Sequence, residues 1–199
     1  TRSFGPAAEP MRGFYGLIDG ASRPLLSADL VGRMYRRIDE ALKATDDPAV
    51  RARFYSLLLY TRYVELYRLY ADAGGAARQD AFEQLIRHAY RIRRTHMVHS
   101  YALYRDLAAR DKSVHIPPEA AFNKPEGPPP AARAAKSVDE KIDGLIPELA
   151  PERPPEGNPW KSSVPFGEEE LATILGRGIE NNPLVDFTAV QSTSGLFSM

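Results

Sequence analysis

Residues 48–72 read PAVRARFYSLLLYTRYVELYRLYAD, and this stretch decides the fold. At about 100° per residue, a helix with this sequence carries Phe54 and Leu58 on one side and a row of tyrosines on another. The row consists of Tyr60, Tyr63, Tyr67 and Tyr70. A helix that is apolar or aromatic around most of its circumference must be covered from two sides. We therefore predict an all-α fold in which this helix is covered by more protein than its two sequence neighbours supply.

Start and stop signals on both sides of this stretch extend the prediction to three long helices. Ser27 is a favourable N-cap, and Asp47 caps a helix whose first position is Pro48. The glycine pair at 74–75 separates the second helix from the third. The predicted helices cover residues 27–45, 48–72 and 77–112. Because their connections are short, we expect a three-helix bundle of up-down-up sense over residues 27–112.

The rest of the chain is predicted to be less regular. Residues 1–26 show no helical or strand period and are expected to form a leading segment draped over the core. Residues 113–165 hold 12 of the 17 prolines and are predicted to be an extended, wrapping segment. A capping box within this segment predicts a short helix near residues 138–146. Residues 166–199 are predicted to form a C-terminal helix, about 168–181, and a tail.

Composition excludes several classes of protein and site. The 199 residues include no cysteine, which excludes disulfides, thiolate metal sites and a cysteine nucleophile. No apolar run is long enough to cross a bilayer, so we expect no membrane partner. The chain starts at Thr1 without an initiator methionine, and we expect a mature form or a piece of a longer protein. Localisation is left open.

Charge is unevenly distributed along the chain. Residues 1–112 carry 19 basic and 13 acidic side chains, a net charge of +6, and the remainder carries 7 and 13, a net charge of −6. The acidic part can lie on the basic part, whereas a nucleic-acid-binding protein normally keeps its basic surface uncovered. We expect no nucleic-acid partner.

Neither the histidines nor the loops supply a recognisable cofactor motif. No glycine-rich phosphate loop follows a strand, so no dinucleotide or P-loop cofactor is expected. His96 and His99 are three residues apart, and one metal could contact both, but Asp and Glu partners at matching turns are missing. We favour a buried, hydrogen-bonded core histidine at position 96 and predict no metal. A ligand-binding or catalytic role for the pair is the alternative.

Arg93 is the most informative charged residue, because it falls within a buried stripe of the third helix. A buried guanidinium must find an acceptor or lose several kcal/mol, on the order of the desolvation penalty of an ion. Glu65 occupies the apolar face of the second helix, so we predict a structural ion pair between Arg93 and Glu65. The alternative is that Arg93 and His96 reach a substrate anion in the cleft of a neighbouring domain.

The tyrosine row indicates a contact surface. Tyrosine favours places that are apolar but not dry, such as interfaces between proteins and sugar-binding platforms. A sugar platform normally needs Asp, Asn or Gln beside flat rings, and these are sparse here, so an interface is favoured. No pair of carboxylates with the spacing of a glycosidase is found, and no catalytic residue is predicted.

Three stretches carry a resemblance to a known family. They are residues 60–67 (YTRYVELY), residues 88–99 (HAYRIRRTHMVH), and residues 166–170 (FGEEE) followed by Leu175 and Gly178-Ile179. The chain resembles the C-terminal helical region of a bacterial glycoside-hydrolase-like family that contains a domain of unknown function, with a layout like that of alpha-glucuronidases and hexosaminidases. The resemblance implies an upstream (β/α)8 barrel as partner, a link to carbohydrate, and a secreted or periplasmic parent as one alternative. It carries over no catalytic residue.

From the sequence we predict a non-catalytic helical accessory region of a carbohydrate-active protein. It would pack on an upstream barrel and contribute to the rim of a sugar site. The candidate binding residues are Arg93, His96, His99, Tyr60, Tyr63 and Tyr67. A free-standing helical protein-interaction module and an enzyme with a histidine-based site in the bundle are the two alternatives.

Overall fold

The computed structural model describes residues 4–19, 26–117 and 166–185. Within these residues 78% are helical and no strand is present, so the all-α prediction is confirmed. The six α-helices are α1 (Ala8–Ile18), α2 (Ala28–Lys43), α3 (Pro48–Asp72), α4 (Gly75–Arg91), α5 (Ser100–Arg110) and α6 (Glu168–Asn181). None of these helices has the length and apolar character needed to span a membrane.

The described residues form two compact units. The first contains residues 4–19, 26–68 and 166–185, and the second contains residues 69–117. The up-down-up sense expected for the three long helices involves both units and stays a prediction. The short helix expected near 138–146, and the wrapping segment from residue 118 onward, lie outside the described residues.

The starts of α2 and α3 follow from local hydrogen bonds. The Ser27 hydroxyl accepts a hydrogen bond from the Leu30 amide at 3.1 Å, which makes Ser27 the N-cap of α2. The Asp47 carboxylate accepts one from the Ala49 amide at 2.8 Å, directly before Pro48 in the first helical position. Both helix starts are therefore confirmed as predicted from the sequence.

The leading segment differs from its prediction because it contains a helix. After a 3₁₀ turn at Gly5–Ala7, α1 runs along α2 and buries Met11 and Phe14 against it. Only these two large side chains of α1 are fully buried, so the segment offers little helical periodicity to recognise. Packing against α2, more than local sequence preference, stabilises this helix.

The core of the first unit is formed by the inward faces of its helices. Its largest fully buried apolar or aromatic side chains are Met11, Phe14, Met34, Tyr35, Ile38, Phe54 and Leu58. Phe4 extends this core, because its ring stacks on that of Phe54 with centroids 5.8 Å apart.

The third helix predicted over residues 77–112 is broken, so this prediction is wrong between residues 92 and 99. α4 ends at Arg91, a 3₁₀ turn covers Arg93–Thr95, and His96 adopts a left-handed backbone conformation with φ 56°. The His99 Nδ1 then accepts a hydrogen bond from the Ala102 amide at 3.1 Å and caps α5. A histidine in the left-handed region, followed by a histidine cap, is a combination that apolar periodicity does not reveal.

We predict that His96→Gly stabilises the protein by about 0.5–1 kcal/mol. Glycine removes the steric cost of the left-handed backbone, of about 1–2 kcal/mol, and part of this gain is offset by the greater entropy of glycine in the unfolded chain. The measurement is urea unfolding followed by circular dichroism. Met97→Gly, at the next position, which is also exposed, is the control and should not stabilise. Equal or lower stability of His96→Gly would contradict the assigned conformation.

Candidate functional site

A buried carboxylate lies where three helices of the first unit meet. Glu65 is 2% exposed, and both of its oxygens are hydrogen-bonded. Its Oε2 accepts from the Tyr35 hydroxyl at 2.7 Å and from the Arg62 guanidinium at 2.6 Å. Its Oε1 accepts from the Asn182 side-chain amide at 2.8 Å. These three donors stand on α2, on α3 and at the end of α6, so a carboxylate that would be costly to bury alone connects all three helices.

Asn182 forms the end of α6 and is completely buried. Its side-chain nitrogen also donates to the Gly178 carbonyl at 2.9 Å. The Arg36 guanidinium donates to the Asn182 carbonyl at 3.2 Å and to the Ile179 carbonyl at 3.4 Å. The Arg68 guanidinium donates to the Asn182 side-chain oxygen at 3.4 Å. Cations at this position interact favourably with the negative end of the helix dipole and satisfy carbonyls that the helix leaves unpaired.

Two glycines allow α6 to approach α2 closely. A Cβ atom on Gly178 would overlap the ring of Tyr35, and one on Gly32 would overlap the carbonyl oxygen of Asn182. Both glycines are buried. Gly176, two residues before Gly178, faces open space. The position of α6 therefore requires glycine, which has no side chain, at both of these positions.

The last described residue is also held by α2. The Val185 amide donates to the Asp29 carboxylate at 2.9 Å, and the Arg33 guanidinium donates to the same carboxylate at 2.7 and 3.1 Å. The hydrogen bond from Arg33 is the main reason that the pKa of Asp29 lies below its usual range. The chain is thus fixed on both sides of the α6 C-terminus.

The electrostatics of this cluster favour a structural role. Burial, and then the neighbouring Glu65 carboxylate, raise the pKa of Tyr35 far above its usual value. The phenol therefore keeps its proton and remains a hydrogen-bond donor. Glu65 is buried and both of its oxygens accept hydrogen bonds from the protein, so the carboxylate is not positioned to reach a substrate proton.

Three of the predicted binding residues lie side by side on α3. Tyr60, Tyr63 and Tyr67, which we call the tyrosine ladder, are all half-buried. The ring centroids of Tyr60 and Tyr63 are 5.8 Å apart, and those of Tyr63 and Tyr67 are 6.3 Å apart. Burial, with a further contribution from the two flanking phenols, raises the pKa of Tyr63 to about 12. The ladder is a continuous aromatic surface that is partly accessible.

The other predicted binding residues lie in the second unit. Arg93 donates to the Tyr90 carbonyl at 3.0 Å, and its guanidinium lies 4.0 Å from the centroid of the Tyr90 ring, a cation–π contact. His96 is exposed, so the prediction of a buried core histidine is wrong: the break after α4 turns this residue out of the apolar stripe. The exposed His99 acts as the cap of α5.

The predicted ion pair between Arg93 and Glu65 joins residues of different units. Glu65 is bonded to Tyr35, Arg62 and Asn182 within the first unit. The direct contact with Arg93 stays a prediction.

A second polar cluster lies at the end of α3 in the second unit. The Asp111 carboxylate accepts hydrogen bonds from the Tyr70 hydroxyl and the Arg78 guanidinium, both at 2.6 Å, and from the Ser113 hydroxyl at 2.6 Å. The bonds from Ser113, Tyr70 and Arg78, in that order, hold the pKa of Asp111 well below its usual range. Burial, and then the bond to Asp111, raise the pKa of Tyr70 to about 12.

Arg78 also caps the C-terminal end of α3. Its guanidinium donates to the carbonyls of Tyr70, Ala71 and Ala73 at 3.1, 3.2 and 2.9 Å. These carbonyls belong to the last turn of the helix and the residue after it, where intrahelical donors run out. Together with the bonds to Asp111, these contacts indicate a stabilising role for the cluster.

A surface cavity of about 290 Å³ lies between α2, α3 and α6. It is lined by Asp39, Leu42, Lys43, Arg51, Tyr55, Glu168, Leu171, Ala172 and Leu175. Its rim carries two acidic and two basic side chains, and the Lys43 ammonium is already paired with Asp39 at 2.6 Å. The rim therefore favours neither anions nor cations.

The part of the chain that the structure describes contains no candidate metal site. There, no group of three or more His, Cys, Asp or Glu side chains lies close enough together to hold a metal ion.

Comparison with protein-family models, with curated proteins and with solved structures finds no match to this chain.

Sequence reasoning did not identify the residues that position α6, which are Gly32, Tyr35, Arg36, Gly178 and Asn182. The two glycines were available as a signal, since a glycine inside a helical pattern often marks a close approach. Their partners were not, because Asn182 is 117 residues from Glu65 in the chain.

We predict that Glu65→Gln destabilises the protein by about 2–3 kcal/mol. The amide can replace one acceptor oxygen but presents an N–H₂ group to donors that then remain unsatisfied. The measurement is the free energy of unfolding in urea at pH 7. Glu40→Gln, which removes an exposed partner of Arg37, is the control and should cost no more than about 0.5 kcal/mol. Equal losses in the two variants would contradict the assigned role of Glu65.

We predict that Asp111 makes stability depend on pH in acid. Because the folded pKa is depressed, the stabilising contribution is present above the unfolded pKa, near 3.8, and is lost as the pH falls through the folded value. Asp111→Asn should therefore flatten the decline of the unfolding free energy below about pH 5. Urea midpoints between pH 7 and 2 measure this decline. Asp80→Asn, at an exposed position of α4, should leave the decline unchanged.

Proposed function

We propose that this chain is a non-catalytic helical accessory region of a carbohydrate-active protein, and that the tyrosine ladder is the surface through which it packs on an upstream (β/α)8 barrel. The observation that carries the proposal is the ladder itself. Its three rings follow one another along α3 with centroid separations of 5.8 and 6.3 Å and are half-buried. Tyrosine combines a large apolar area with a polar tip, and this combination is enriched at protein interfaces.

Ring orientation favours a protein partner over a bound sugar. Adjacent rings of the ladder are inclined to each other by 33° and 54°, so they do not present one flat face. Tilted rings interdigitate well with the side chains of another protein. A sugar ring that stacks on an aromatic platform needs an accessible flat face, which half-buried rings offer only in part. The main role of the ladder is therefore to pack on the barrel, and its contribution to the rim of a sugar site is secondary.

The hydrogen-bonded acidic groups Glu65 and Asp111 support a non-catalytic role. Both oxygens of Glu65 and both oxygens of Asp111 accept hydrogen bonds from the protein. A general acid or base must instead be within reach of a substrate proton. The two carboxylates are therefore used to connect helices.

The sequence resemblance supports the identity of the partner. Residues 60–67, which contain the ladder, are among the stretches that resemble the helical region following a barrel in the glycoside-hydrolase-like family. A free-standing helical interaction module would use the same surface without a barrel in the same chain. The two versions differ in what the gene encodes before Thr1.

We predict that the reading frame upstream of Thr1 encodes a barrel of about 250 residues. In that full-length protein, with a protease site introduced before Thr1, the cleaved halves should stay together during gel filtration. Replacing Tyr60, Tyr63 and Tyr67 by serine should weaken their association at least about tenfold, since a few buried aromatic residues supply most of the energy of an interface.

The control variant is Tyr15→Ser, which removes a tyrosine of α1 that is 41% exposed and should leave the halves associated. An initiator methionine directly before Thr1 would contradict the barrel and support the free-standing module. Halves that separate in the unmutated protein, or that stay together in the triple variant, would contradict the role of the ladder.

A further inference from the structure

Side chains of α2 and α3 bind the C-terminus of α6 through hydrogen bonds. We propose that the surface formed by Gly32, Tyr35, Arg36, Glu65 and Arg68, called here the α6 docking surface, accepts a helix with the C-terminal sequence of α6, and that a second copy of the chain can supply this helix. The proposal concerns residues other than the tyrosine ladder and is independent of the proposed function.

Recognition at the α6 docking surface is specific for the end of a helix. Arg36 binds two carbonyls that a helix leaves without intrahelical donors, at 3.2 and 3.4 Å. Glu65 and Arg68 bind the amide and the oxygen of the Asn182 side chain at 2.8 and 3.4 Å. The Tyr35 ring fills the space that only a glycine at position 178 leaves open. An incoming helix therefore needs a glycine four residues before an asparagine that follows its last turn.

None of these contacts requires α6 to belong to the same chain as its docking surface. Residues 118–165, 48 in number, separate α6 from the last described residue before it, Pro117. A segment of this length can span up to about 160 Å, far more than the dimensions of a small domain. An identical helix can be exchanged between copies of a chain, and exchange becomes favourable when the protein is concentrated or when its own α6 is displaced.

The first experiment displaces α6 and then supplies it as a separate molecule. Gly178→Leu places a side chain where the Tyr35 ring lies and leaves the docking surface itself unchanged. The probe is a fluorescein-labelled peptide of residues 166–185, and binding is measured by anisotropy. We expect it to bind the Gly178→Leu chain at least tenfold more tightly than the wild-type chain or the Gly176→Leu chain, whose substituted position faces open space.

Peptide variants test which residues are recognised. A peptide with Asn182→Leu should lose at least tenfold in affinity for the Gly178→Leu chain. A peptide with Asn181→Leu, changed at the exposed neighbouring position, should bind like the unmodified peptide. The full chain with Asn182→Leu is a second receptor that displaces α6 by a different change. Failure of the peptide to bind either receptor, or equal binding of the two peptide variants, would overturn the proposal.

The second experiment tests whether another copy supplies the helix. Arg36→Glu places a carboxylate against the α6 carbonyls, so this chain keeps an intact α6 and a disabled docking surface. When this chain is mixed with the Gly178→Leu chain at about 100 µM, the two should form a heterodimer of about 44 kDa, twice 22.1 kDa. Sedimentation equilibrium measures this mass. Each variant alone should remain monomeric, and an unassociated mixture would overturn exchange between copies.

Discussion

The buried carboxylate of Glu65 is the constraint on which the first unit depends. A charge removed from water is tolerated only when its oxygens are bonded, and here the three donors come from α2, α3 and the end of α6. Loss of any one helix from this arrangement leaves a polar group unsatisfied in an apolar interior. The position of α6 is therefore set by hydrogen bonding and close glycine contacts in addition to apolar burial.

Local signals predicted most helix boundaries correctly. The Ser27 cap, the Asp47-Pro48 start and the acidic first turn of α6 all act within a few residues, so they can be recognised without knowledge of the fold. The helix α1 was missed because its stability comes from packing on α2. The break at His96 was missed because apolar spacing continues across it, whereas its left-handed backbone is fixed by surrounding structure.

The candidate site was predictable where it depends on the period of one helix and unpredictable where it depends on tertiary proximity. Spacing alone placed Tyr60, Tyr63 and Tyr67 together. It also indicated a buried polar group at Glu65 but could not reveal Asn182, which the fold brings from a distant part of the chain. The exposed position of His96 likewise follows from the break in the helix, which no single-helix pattern contains.

The close packing of Gly32 and Gly178 against their neighbours has an evolutionary consequence. A larger residue at position 178 can be accommodated only if the aromatic ring of Tyr35 becomes smaller, and replacement of Asn182 removes the amide that donates to Glu65 Oε1. These positions should therefore covary among homologues. Two short patterns, glycine three residues before a tyrosine and glycine four residues before an asparagine, separated by well over a hundred residues, form a signature for finding distant relatives.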